Sequence, residues 1–306
     1  MIYTITCNPS LDYVMKVDSF KLGETNRSYD EHLYPGGKGF NVSMILHSLQ
    51  VDTVALGFIA GFTGEEIKRQ LDMREIKHDL CELDEGVSRI NVKLKGECES
   101  EINGSGPLIL DEQMDQLYSK LCELSSGDFL VLAGSLPPSL PKDTYSRIMN
   151  YLSKKNIKII VDTTNESLRL VLAYHPFLVK PNQTELAELY HVRLNNIEDI
   201  IHYAKYLQRE GALNVLVSMG KDGALLVCED HHVYFCGSAK GSLINSVGSG
   251  DSMVAGFIAA YQKWGNYQEA LLLASACGGA TAFSEDLAEY ELIQKLYGQL
   301  KCKELE

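Results

Sequence analysis

A glycine-rich turn late in the chain combines a potential anion-binding site with a carboxylate. Gly248, Ser249 and Gly250 precede Asp251, and the apolar run 252–258 that follows is typical of a buried helix. Backbone N–H groups at a helix N-terminus attract anions, whereas a carboxylate at the same place repels them. Asp251 therefore predicts a general base that takes a proton from a hydroxyl attacking a phosphoryl group. The alternative is a helix cap, which is a frequent role of Asp.

A second glycine-rich turn opens an early helical pattern. It runs from Pro35 to Asn41 and contains Gly36, Gly37 and Lys38. It has neither the spacing of a Walker A loop nor that of a dinucleotide-binding fingerprint. The glycines would let the backbone approach a small polyol, to which Lys38 and Asn41 would add charge and hydrogen bonds. The alternative is a tight strand-to-helix turn with a solvated Lys38.

Asp12 follows the first predicted strand, in the segment Asn-Pro-Ser-Leu-Asp at 8–12. A carboxylate at the carboxyl end of a strand can accept hydrogen bonds from two sugar hydroxyls. The alternative is an ordinary Asx turn.

The segment 179–185 has two interpretations. Asn182 followed by Glu185 is the pattern of a capping box at a helix N-terminus. Alternatively, Asn182 and Glu185 lie near a hydrated Mg²⁺, which commonly takes few protein ligands, and Lys180 lies near nucleotide phosphates.

A third turn, from Ser218 to Gly223, closes a predicted strand. Its Gly-x-x-Gly spacing, with Gly220 and Gly223, is common in hairpins and therefore unspecific. A nucleotide could lie across such a turn, although the spacing alone does not indicate one.

The surrounding pattern predicts the elements that position these turns. Continuous apolar runs at 129–134, 157–161, 177–179 and 214–219 alternate with helical patterns, such as one opened by Pro141. This alternation predicts a doubly wound, mostly parallel α/β sheet flanked by helices, with ligands at the carboxyl ends of its strands.

Two half-polar segments interrupt the alternation and predict a small inserted β-sheet. We expect residues 11–35 and 87–103 to form this β lid, and residues 1–10, 36–86 and 104–306 to form the α/β core. The lid could close over a site and exclude water. Its exposed apolar face could equally be the contact of a homodimer.

Composition restricts the class of protein. The 306 residues carry a net charge of −13 with a pI near 5.1, which argues against binding to nucleic acid. Eight cysteines without a C-x-x-C pair are typical of reduced thiols, and close zinc-ligand spacing is absent. The sequence has no signal-peptide pattern and no apolar run long enough to span a bilayer. We therefore expect a cytoplasmic protein without a membrane partner.

The order of four segments is more specific than any one of them. They are Asn-Pro-Ser-Leu-Asp at 8–12, Gly-Gly-Lys-Gly-x-Asn at 36–41, Lys-Pro-Asn-x-x-Glu at 180–185 and Gly-Ser-Gly-Asp at 248–251. Over essentially the whole chain, this order resembles the ribokinase-like (PfkB-type) carbohydrate kinases. The resemblance implies the ribokinase-like fold with its β lid. The first segment is similar to the branch of the family that phosphorylates sugar phosphates.

The resemblance also implies a reaction and a set of site residues. The reaction is ATP-dependent transfer of a phosphoryl group to the C6 hydroxyl of fructose 1-phosphate, giving fructose 1,6-bisphosphate. Asp251 matches the catalytic base, and Gly248, Ser249 and Gly250 match the anion hole, with Ser249 standing where the family usually has Ala. The substrate-binding positions are Asp12, Gly36, Gly37, Lys38, Asn41, Arg89, Ser135 and Arg27. The nucleotide-binding positions are Lys180, Asn182, Ser218, Gly220, Gly223, Gly248 and Gly250. Glu185 and Asn182 would hold Mg²⁺, through water.

Charge suggests how an acidic protein binds a sugar phosphate. An Arg guanidinium can donate two parallel hydrogen bonds to a phosphate group, which a Lys ammonium cannot. We therefore expect Arg89 to bind the phosphate, together with Lys38. Arg27 is expected to be a lid or dimer residue that only approaches the phosphate. We expect Asp251 to stay ionised, because a loose phosphoryl-transfer transition state does not need a strong base.

Three other functions are compatible with parts of the pattern. A tagatose-6-phosphate or fructose-6-phosphate kinase would differ in the position of the substrate phosphate, which the sequence leaves open. A non-catalytic sugar-phosphate sensor would have no use for a base beside the anion hole. A nicotinamide-dependent dehydrogenase is disfavoured because the glycine fingerprint after the first strand is missing.

Overall fold

Two β-sheets and a set of helices make up the protein. The structure is a computed structural model that describes residues 1–305, apart from the side chain of residue 165. The strands are β1 (Ile2–Thr6), β2 (Ser10–Lys16), β3 (Asp30–Gly36), β4 (Thr53–Ala60), β5 (His78–Leu83), β6 (Arg89–Lys95), β7 (Ser100–Asn103), β8 (Phe129–Ala133), β9 (Lys158–Asp162), β10 (Leu178–Val179), β11 (Asn214–Ser218), β12 (Ala224–Val227), β13 (Val233–Cys236) and β14 (Cys302–Glu304). The helices are α1 (Lys38–Ser48), α2 (Gly61–Met73), α3 (Asp111–Leu121), α4 (Thr144–Leu152), α5 (Asn165–Leu172), α6 (Gln183–Tyr190), α7 (Ile197–Arg209), α8 (Ser249–Trp264), α9 (Tyr267–Ala282) and α10 (Tyr290–Tyr297).

The larger sheet is mostly parallel. Its strand order is β14-β13-β12-β11-β10-β9-β8-β1-β4-β5. Neighbouring strands are parallel from β11 to β5, whereas β12, β13 and β14 add an antiparallel edge. All five residues of β8 are buried, as expected for a strand covered on both faces.

Helices cover both faces of this sheet. Successive residues of β8 point to opposite faces: Leu130 and Leu132 pack with α3, α4, α6 and α7, whereas Phe129 and Val131 pack with α1, α8, α9 and α10. The prediction of a doubly wound α/β core is therefore confirmed. Within residues 1–305, no helix is long and apolar enough to cross a membrane.

The smaller sheet has the strand order β3-β2-β6-β7. β2 and β6 run parallel, and the other pairs are antiparallel. Leu11 of β2 attaches this sheet to the core, because it packs in a buried cluster with Phe40 of α1 and Ile67 of α2. The predicted division into core and lid stays a prediction. It assigned Ser10 and Gly36 to the core, but both are strand residues of the smaller sheet. Residue 306, which it also assigned to the core, lies outside the described residues.

One predicted helix begins later than its sequence signal. We expected Pro141 to open the helix, but α4 begins at Thr144. The carbonyl of Pro141 accepts hydrogen bonds from the backbone N–H and the hydroxyl of Thr144. The proline therefore belongs to a turn that precedes the helix.

Candidate active site

A cavity of about 1190 Å³ lies at the carboxyl ends of the parallel strands. Thr6 of β1, Ala133 of β8, Asp162 of β9 and Ser218 of β11 all contribute to its wall. This edge is where doubly wound sheets bind ligands. The predicted site residues that line it are Asp12, Gly37, Lys38, Asn41, Arg89, Ser135, Lys180, Asn182, Glu185, Ser218, Gly220, Gly223, Gly248, Ser249, Gly250 and Asp251.

Asp251 lies in the first turn of α8, at the floor of this cavity. Gly248, not Asp251, is the N-cap residue, and its φ of 80° is a left-handed conformation that favours glycine. The Asp251 side chain is only 5% exposed, and its Oδ2 accepts a hydrogen bond of 2.7 Å from Asn41 Nδ2. The two glycine-rich turns thus meet through this hydrogen bond, and Asp251 does not act as the N-cap.

Opposing effects act on the ionisation of Asp251. Burial, together with the negative charge of Asp162, raises the pKa of Asp251 from 3.8 to about 6, against the lowering effects of Lys38 and Asn41. A carboxylate with this pKa is mostly ionised at neutral pH, and it binds a proton more readily than an ordinary Asp.

The start of α8 offers backbone donors to an anion. The first N–H groups of a helix lack partners within the helix. The N–H of Ser249 donates to the carbonyl of Ser246 at 3.3 Å, whereas those of Gly248, Gly250 and Asp251 have no hydrogen bond among the described residues and are the candidate donors. The anion hole at Gly248, Ser249 and Gly250 stays a prediction. Ser249 Oγ is buried without a hydrogen-bond partner among the described residues.

Two lysines neutralise a buried carboxylate beside Asp251. Asp162 Oδ1 lies 3.1 Å from Lys38 Nζ, and Asp162 Oδ2 lies 3.5 Å from Lys180 Nζ. Burial alone would raise the pKa of Asp162, but the charges of Lys180 and Lys38 outweigh it and hold that pKa below its ordinary value. A Cβ at Gly250 would lie 2.8 Å from Lys180 Nζ, so the ammonium group lies directly against the start of α8.

Asp12 lies on the lid side of the cavity, within the smaller sheet. Its Oδ1 accepts hydrogen bonds from Ser10 Oγ at 2.7 Å and from Asn91 Nδ2 at 2.9 Å, and Lys93 Nζ lies 2.8 Å from its Oδ2. Gly36 does not line the cavity but lies against this group, since a Cβ there would be 2.6 Å from Asp12 Oδ1. The glycine therefore makes room for the carboxylate.

The two predicted arginines differ in position. Arg89 lines the cavity, and its Nε donates to the carbonyl of Asn8 at 3.1 Å. Burial lowers the pKa of Arg89, against the raising effect of Asp12. Arg27 is exposed on the loop between β2 and β3 and does not line the cavity. Of the two, only Arg89 is in position to reach a ligand here.

Asn182 and Glu185 form the capping box that the sequence indicated. Asn182 Oδ1 accepts from the N–H of Glu185, and Glu185 Oε2 accepts from the N–H of Asn182, both at 2.8 Å. Both residues also line the cavity, as do Asp162 and Asp251. The described residues hold no cluster of three metal-binding side chains, so a magnesium ion here would take most of its ligands from water and phosphate oxygens.

Small residues line another part of the cavity wall. Ser218, Gly220 and Gly223 form one side, and Gly278 and Ala282 of α9 form another. Gly223 has a φ of 104°, and a Cβ there would lie 2.2 Å from the carbonyl oxygen of Cys236. The turn therefore requires glycine for structural reasons, whatever it binds.

Several charged or polar side chains in or beside the cavity were not among the predicted residues, including Asp162, Asn91 and Lys93. Asp162 follows a predicted strand, so its place at a carboxyl end was a usable signal. Asn91 and Lys93 belong to a lid strand whose register against Asp12 is a long-range pairing, and local sequence does not indicate it.

Comparison with known proteins decides the family. The model of the pfkB family of carbohydrate kinases matches residues 6–291. This chain belongs to the pfkB family. The predicted resemblance is therefore confirmed.

Individual members of the pfkB family are similar over the full length. A Bacillus subtilis (strain 168) protein named 1-phosphofructokinase is 45% identical, and a Bacillus licheniformis protein named D-tagatose-1-phosphate kinase is 37% identical; each match covers 100% of both chains. The crystal structure of a proposed phosphofructokinase from Staphylococcus aureus has a TM-score of 0.88 and 40% identity, and the match covers 100% of this chain and 99% of that one. The protein is thus an ATP-dependent sugar-phosphate kinase of the pfkB family, with ATP as co-substrate.

Proposed function

We propose that this kinase transfers the γ-phosphoryl group of ATP to the C6 hydroxyl of fructose 1-phosphate, with Asp251 as the base. The observation that carries the proposal is the buried carboxylate of Asp251 in the first turn of α8, bonded to Asn41 and surrounded by Lys38 and Lys180. The full-length similarity to a protein named 1-phosphofructokinase supports this substrate.

In this proposal, Asp251 takes the proton of the C6 hydroxyl as its oxygen attacks the γ-phosphorus. The bond from phosphorus to the bridging oxygen of ADP then breaks. Asn41 holds Asp251 Oδ2 in place, and the raised pKa makes the carboxylate a somewhat better proton acceptor. The N–H groups of Gly250 and Asp251, with Lys180, would stabilise negative charge on the transferred group. Most of the catalysis would come from positioning and charge, as is usual for phosphoryl transfer.

The substrate phosphate would bind between the lid and the core. Arg89 is a lid cation that lines the cavity, and Lys38 is a cation at the start of α1. Burial of Arg89 favours charge-assisted hydrogen bonds to a dianionic phosphate, because it lowers the local dielectric screening. Ser135, at the carboxyl end of β8, would add a hydroxyl.

Magnesium fits the donors of this site. Asp162 Oδ2 is a buried carboxylate oxygen without a hydrogen bond among the described residues, and Glu185 shares its cavity. Glu185 and Asn182 would hold the hydrated ion, whose charge would offset that of the phosphates. Lys38 and Lys180 keep the carboxylates from repelling ATP.

D-tagatose 1-phosphate is a second candidate substrate. It is favoured by the 37% identity to a protein named D-tagatose-1-phosphate kinase. This sugar phosphate differs from fructose 1-phosphate only in configuration at C4, so both would present the same phosphate and the same C6 hydroxyl. The same base and the same cations would serve either one.

Coupled ADP release with Mg·ATP tests the proposal. Fructose 1-phosphate, D-tagatose 1-phosphate, fructose 6-phosphate, tagatose 6-phosphate and free fructose are assayed separately. We expect the highest kcat/KM with fructose 1-phosphate. A preference for D-tagatose 1-phosphate would select the second candidate, and a preference for a 6-phosphate would reverse the orientation of the sugar. Turnover of free fructose alone would contradict the proposed phosphate site.

We also propose a homodimer formed through the lid. Residues alternate along its strands, so Asp12 and Asn91 face the cavity while Leu33, Ile90 and Ile102 share the opposite face. These three apolar side chains are exposed, Ile102 by 66%. A second copy of the chain, presenting the same face, would bury them.

A further inference from the structure

Two free cysteines lie directly opposite each other at the antiparallel edge of the larger sheet. Cys236 ends β13, Cys302 begins β14, and the register of the two strands pairs these residues. Side chains of directly opposite residues lie on the same face of a sheet. Both cysteines accordingly pack in one hydrophobic cluster with residues of α8, α9 and α10.

The hydrogen bonds of β13 place this pair at the closer of the two separations that an antiparallel ladder offers. The N–H of Leu305 donates to the carbonyl of Val233, so the backbone polar groups of Val233 point toward β14. These groups alternate in direction along a strand, so those of Cys236, three residues later, point toward β12. The carbonyl of Cys236 indeed lies against Gly223, the residue before β12. Cys236 and Cys302 are therefore a non-hydrogen-bonded pair.

Such a pair has the separation that a disulfide requires. The Cα atoms of a non-hydrogen-bonded antiparallel pair are about 4.5 Å apart, and disulfides span Cα separations of about 4.4–6.8 Å. Cys7 and Cys81 provide the contrast, because β4 lies between β1 and β5. Two strand spacings of about 4.8 Å put that pair beyond the reach of a disulfide.

The two thiols also affect each other's ionisation. Interaction with the Cys302 thiol lowers the pKa of Cys236, although burial alone would raise it, and the same interaction raises the pKa of Cys302. The proton that remains on the pair can reside on either sulfur, so either sulfur can react as the thiolate. Cys236 is fully buried, whereas Cys302 is only partly buried on the edge strand. A small reagent therefore reaches Cys302 first.

We propose that Cys236 and Cys302 are a redox modification site, at which hydrogen peroxide forms a reversible disulfide between β13 and β14. The thiolate of Cys302 attacks one peroxide oxygen, the O–O bond breaks, and the departing hydroxide takes the proton of Cys236 to form water. The thiolate of Cys236 then attacks the sulfur of Cys302 and breaks its S–O bond. The second hydroxide takes up the proton that Cys302 first released. Two thiols are thus oxidised to a disulfide while one peroxide is reduced to two waters.

The neighbouring thiol changes the fate of an oxidised Cys302. A sulfenic acid without a partner thiol proceeds to sulfinic and sulfonic acids, which ordinary thiols do not reduce. With Cys236 opposite, oxidation stops at a disulfide, which also ties down β14, an edge strand of only three residues. Neither cysteine lines the active-site cavity, so this site is separate from that of phosphoryl transfer.

Mass spectrometry of the full-length enzyme tests the proposal. The reduced wild type is treated with hydrogen peroxide, the remaining thiols are alkylated, and the digested fragments are sequenced. We expect a disulfide that links Cys236 to Cys302 and that dithiothreitol reverses, together with slower amide hydrogen exchange at residues 302–305 in the oxidised protein. A disulfide that links other cysteines instead, or oxidation confined to the exposed Cys98 and Cys122, would overturn the proposal.

Two variants test the partnership of the thiols. In Cys236→Ala, Cys302 should accumulate as the sulfinic acid, which dithiothreitol does not reduce. Cys98→Ser is the matched control: Cys98 is exposed between β6 and β7, and the variant should form the disulfide as the wild type does. An unchanged rate of ADP release by each reduced variant verifies that it is folded. If Cys302 is oxidised no further in Cys236→Ala than in the wild type, Cys236 is not its partner and the proposal fails. If Cys236→Ala does not fold, the fragments of the wild type decide alone.

Discussion

At Asp251, burial and local charge produce a carboxylate suited to accept a proton. A fully solvated Asp would be a weaker base, whereas Asn41 and the two lysines keep the pKa of the buried Asp251 from rising further. The expectation that Asp251 stays ionised thus holds only above about pH 6. Keeping Asp251 ionised therefore has a cost in folding stability at neutral pH.

Replacing Asp251 separates catalysis from stability. Asp251→Asn keeps the shape and a hydrogen-bond acceptor for Asn41 but removes the base. We expect kcat to fall by about 10²- to 10⁴-fold, with the KM for the sugar phosphate nearly unchanged. Steady-state kinetics and thermal unfolding of the same preparations provide the measurement. A lower Tm with normal kcat would show that Asp251 is only structural.

The raised pKa of Asp251 makes the free energy of unfolding depend on pH in a defined direction. Because its folded-state pKa of about 6 exceeds the ordinary value of 3.8, the folded protein binds more protons than the unfolded chain between these values. The contribution of Asp251 to stability therefore falls as pH rises from about 4 to about 6, and is constant above. We expect Asp251→Asn to have a Tm equal to or above that of the wild type at pH 7–8. At about pH 4 this advantage should vanish.

The same pKa predicts the acid limb of the activity profile. In the wild type, kcat/KM for the sugar phosphate should be constant at neutral pH and fall about tenfold per pH unit below about pH 6. Initial rates between pH 5 and pH 8 at constant ionic strength are the measurement. A flat profile across this range would contradict Asp251 as the essential base.

Arg89 should affect one substrate only. Its guanidinium lines the cavity on the lid side, so Arg89→Ala should raise the KM for the sugar phosphate by about ten- to a hundredfold, the loss expected for charged hydrogen bonds. The KM for ATP should stay nearly unchanged. Arg147→Ala is the control, since Arg147 is exposed on α4 and outside the cavity. Equal weakening of both substrates by Arg89→Ala would indicate damage to the lid.

At the scale of elements, the start of α6 forms a capping box and is also the proposed magnesium site, and one substitution can separate the two roles. Glu185→Gln keeps an acceptor for the N–H of Asn182, since Gln also completes a capping box, but removes the negative charge. We expect an unchanged Tm and a higher Mg²⁺ concentration for half-maximal rate. Asn182→Ala, in contrast, should cost about 1 kcal/mol of stability through loss of the cap. An unchanged Mg²⁺ dependence in Glu185→Gln would leave the capping box as the only role of Glu185.

The sequence predicted elements better than the contacts between them. The run 129–134 is a strand because its apolar residues suit burial on both faces, and Gly134 ends it. The pairing of Asp12 with Asn91 was not predictable, since it depends on the register of two strands about 80 residues apart. The position of Arg27 outside the cavity was not predictable either, because it depends on the path of the loop between β2 and β3. At α4, the turn at Pro141 was mistaken for the helix start.

At the scale of the whole molecule, the lid has one polar face toward the cavity and one apolar face toward solvent. The polar face carries Asp12 with its partners Asn91 and Lys93, whereas the opposite face leaves Ile102 exposed to solvent. If a second copy covers that face, Ile102→Glu should shift the enzyme from dimer to monomer in sedimentation velocity. Tyr290→Glu, at an exposed site of α10 in the core, should leave the dimer intact. A wild type that is monomeric at all concentrations would refute the lid dimer.

The bond between Asn41 and Asp251 joins positions 210 residues apart, and this separation has a consequence during synthesis. A ribosome makes the lid, Lys38 and the turn at Ser218 well before it makes Asp251. The hydroxyl of Ser252 then meets that of Thr281, so α8 also needs α9 to be complete. An unfinished chain that ends before α8 therefore lacks the base as well as part of the cavity wall. The order of translation itself delays phosphoryl transfer until the protein is nearly complete.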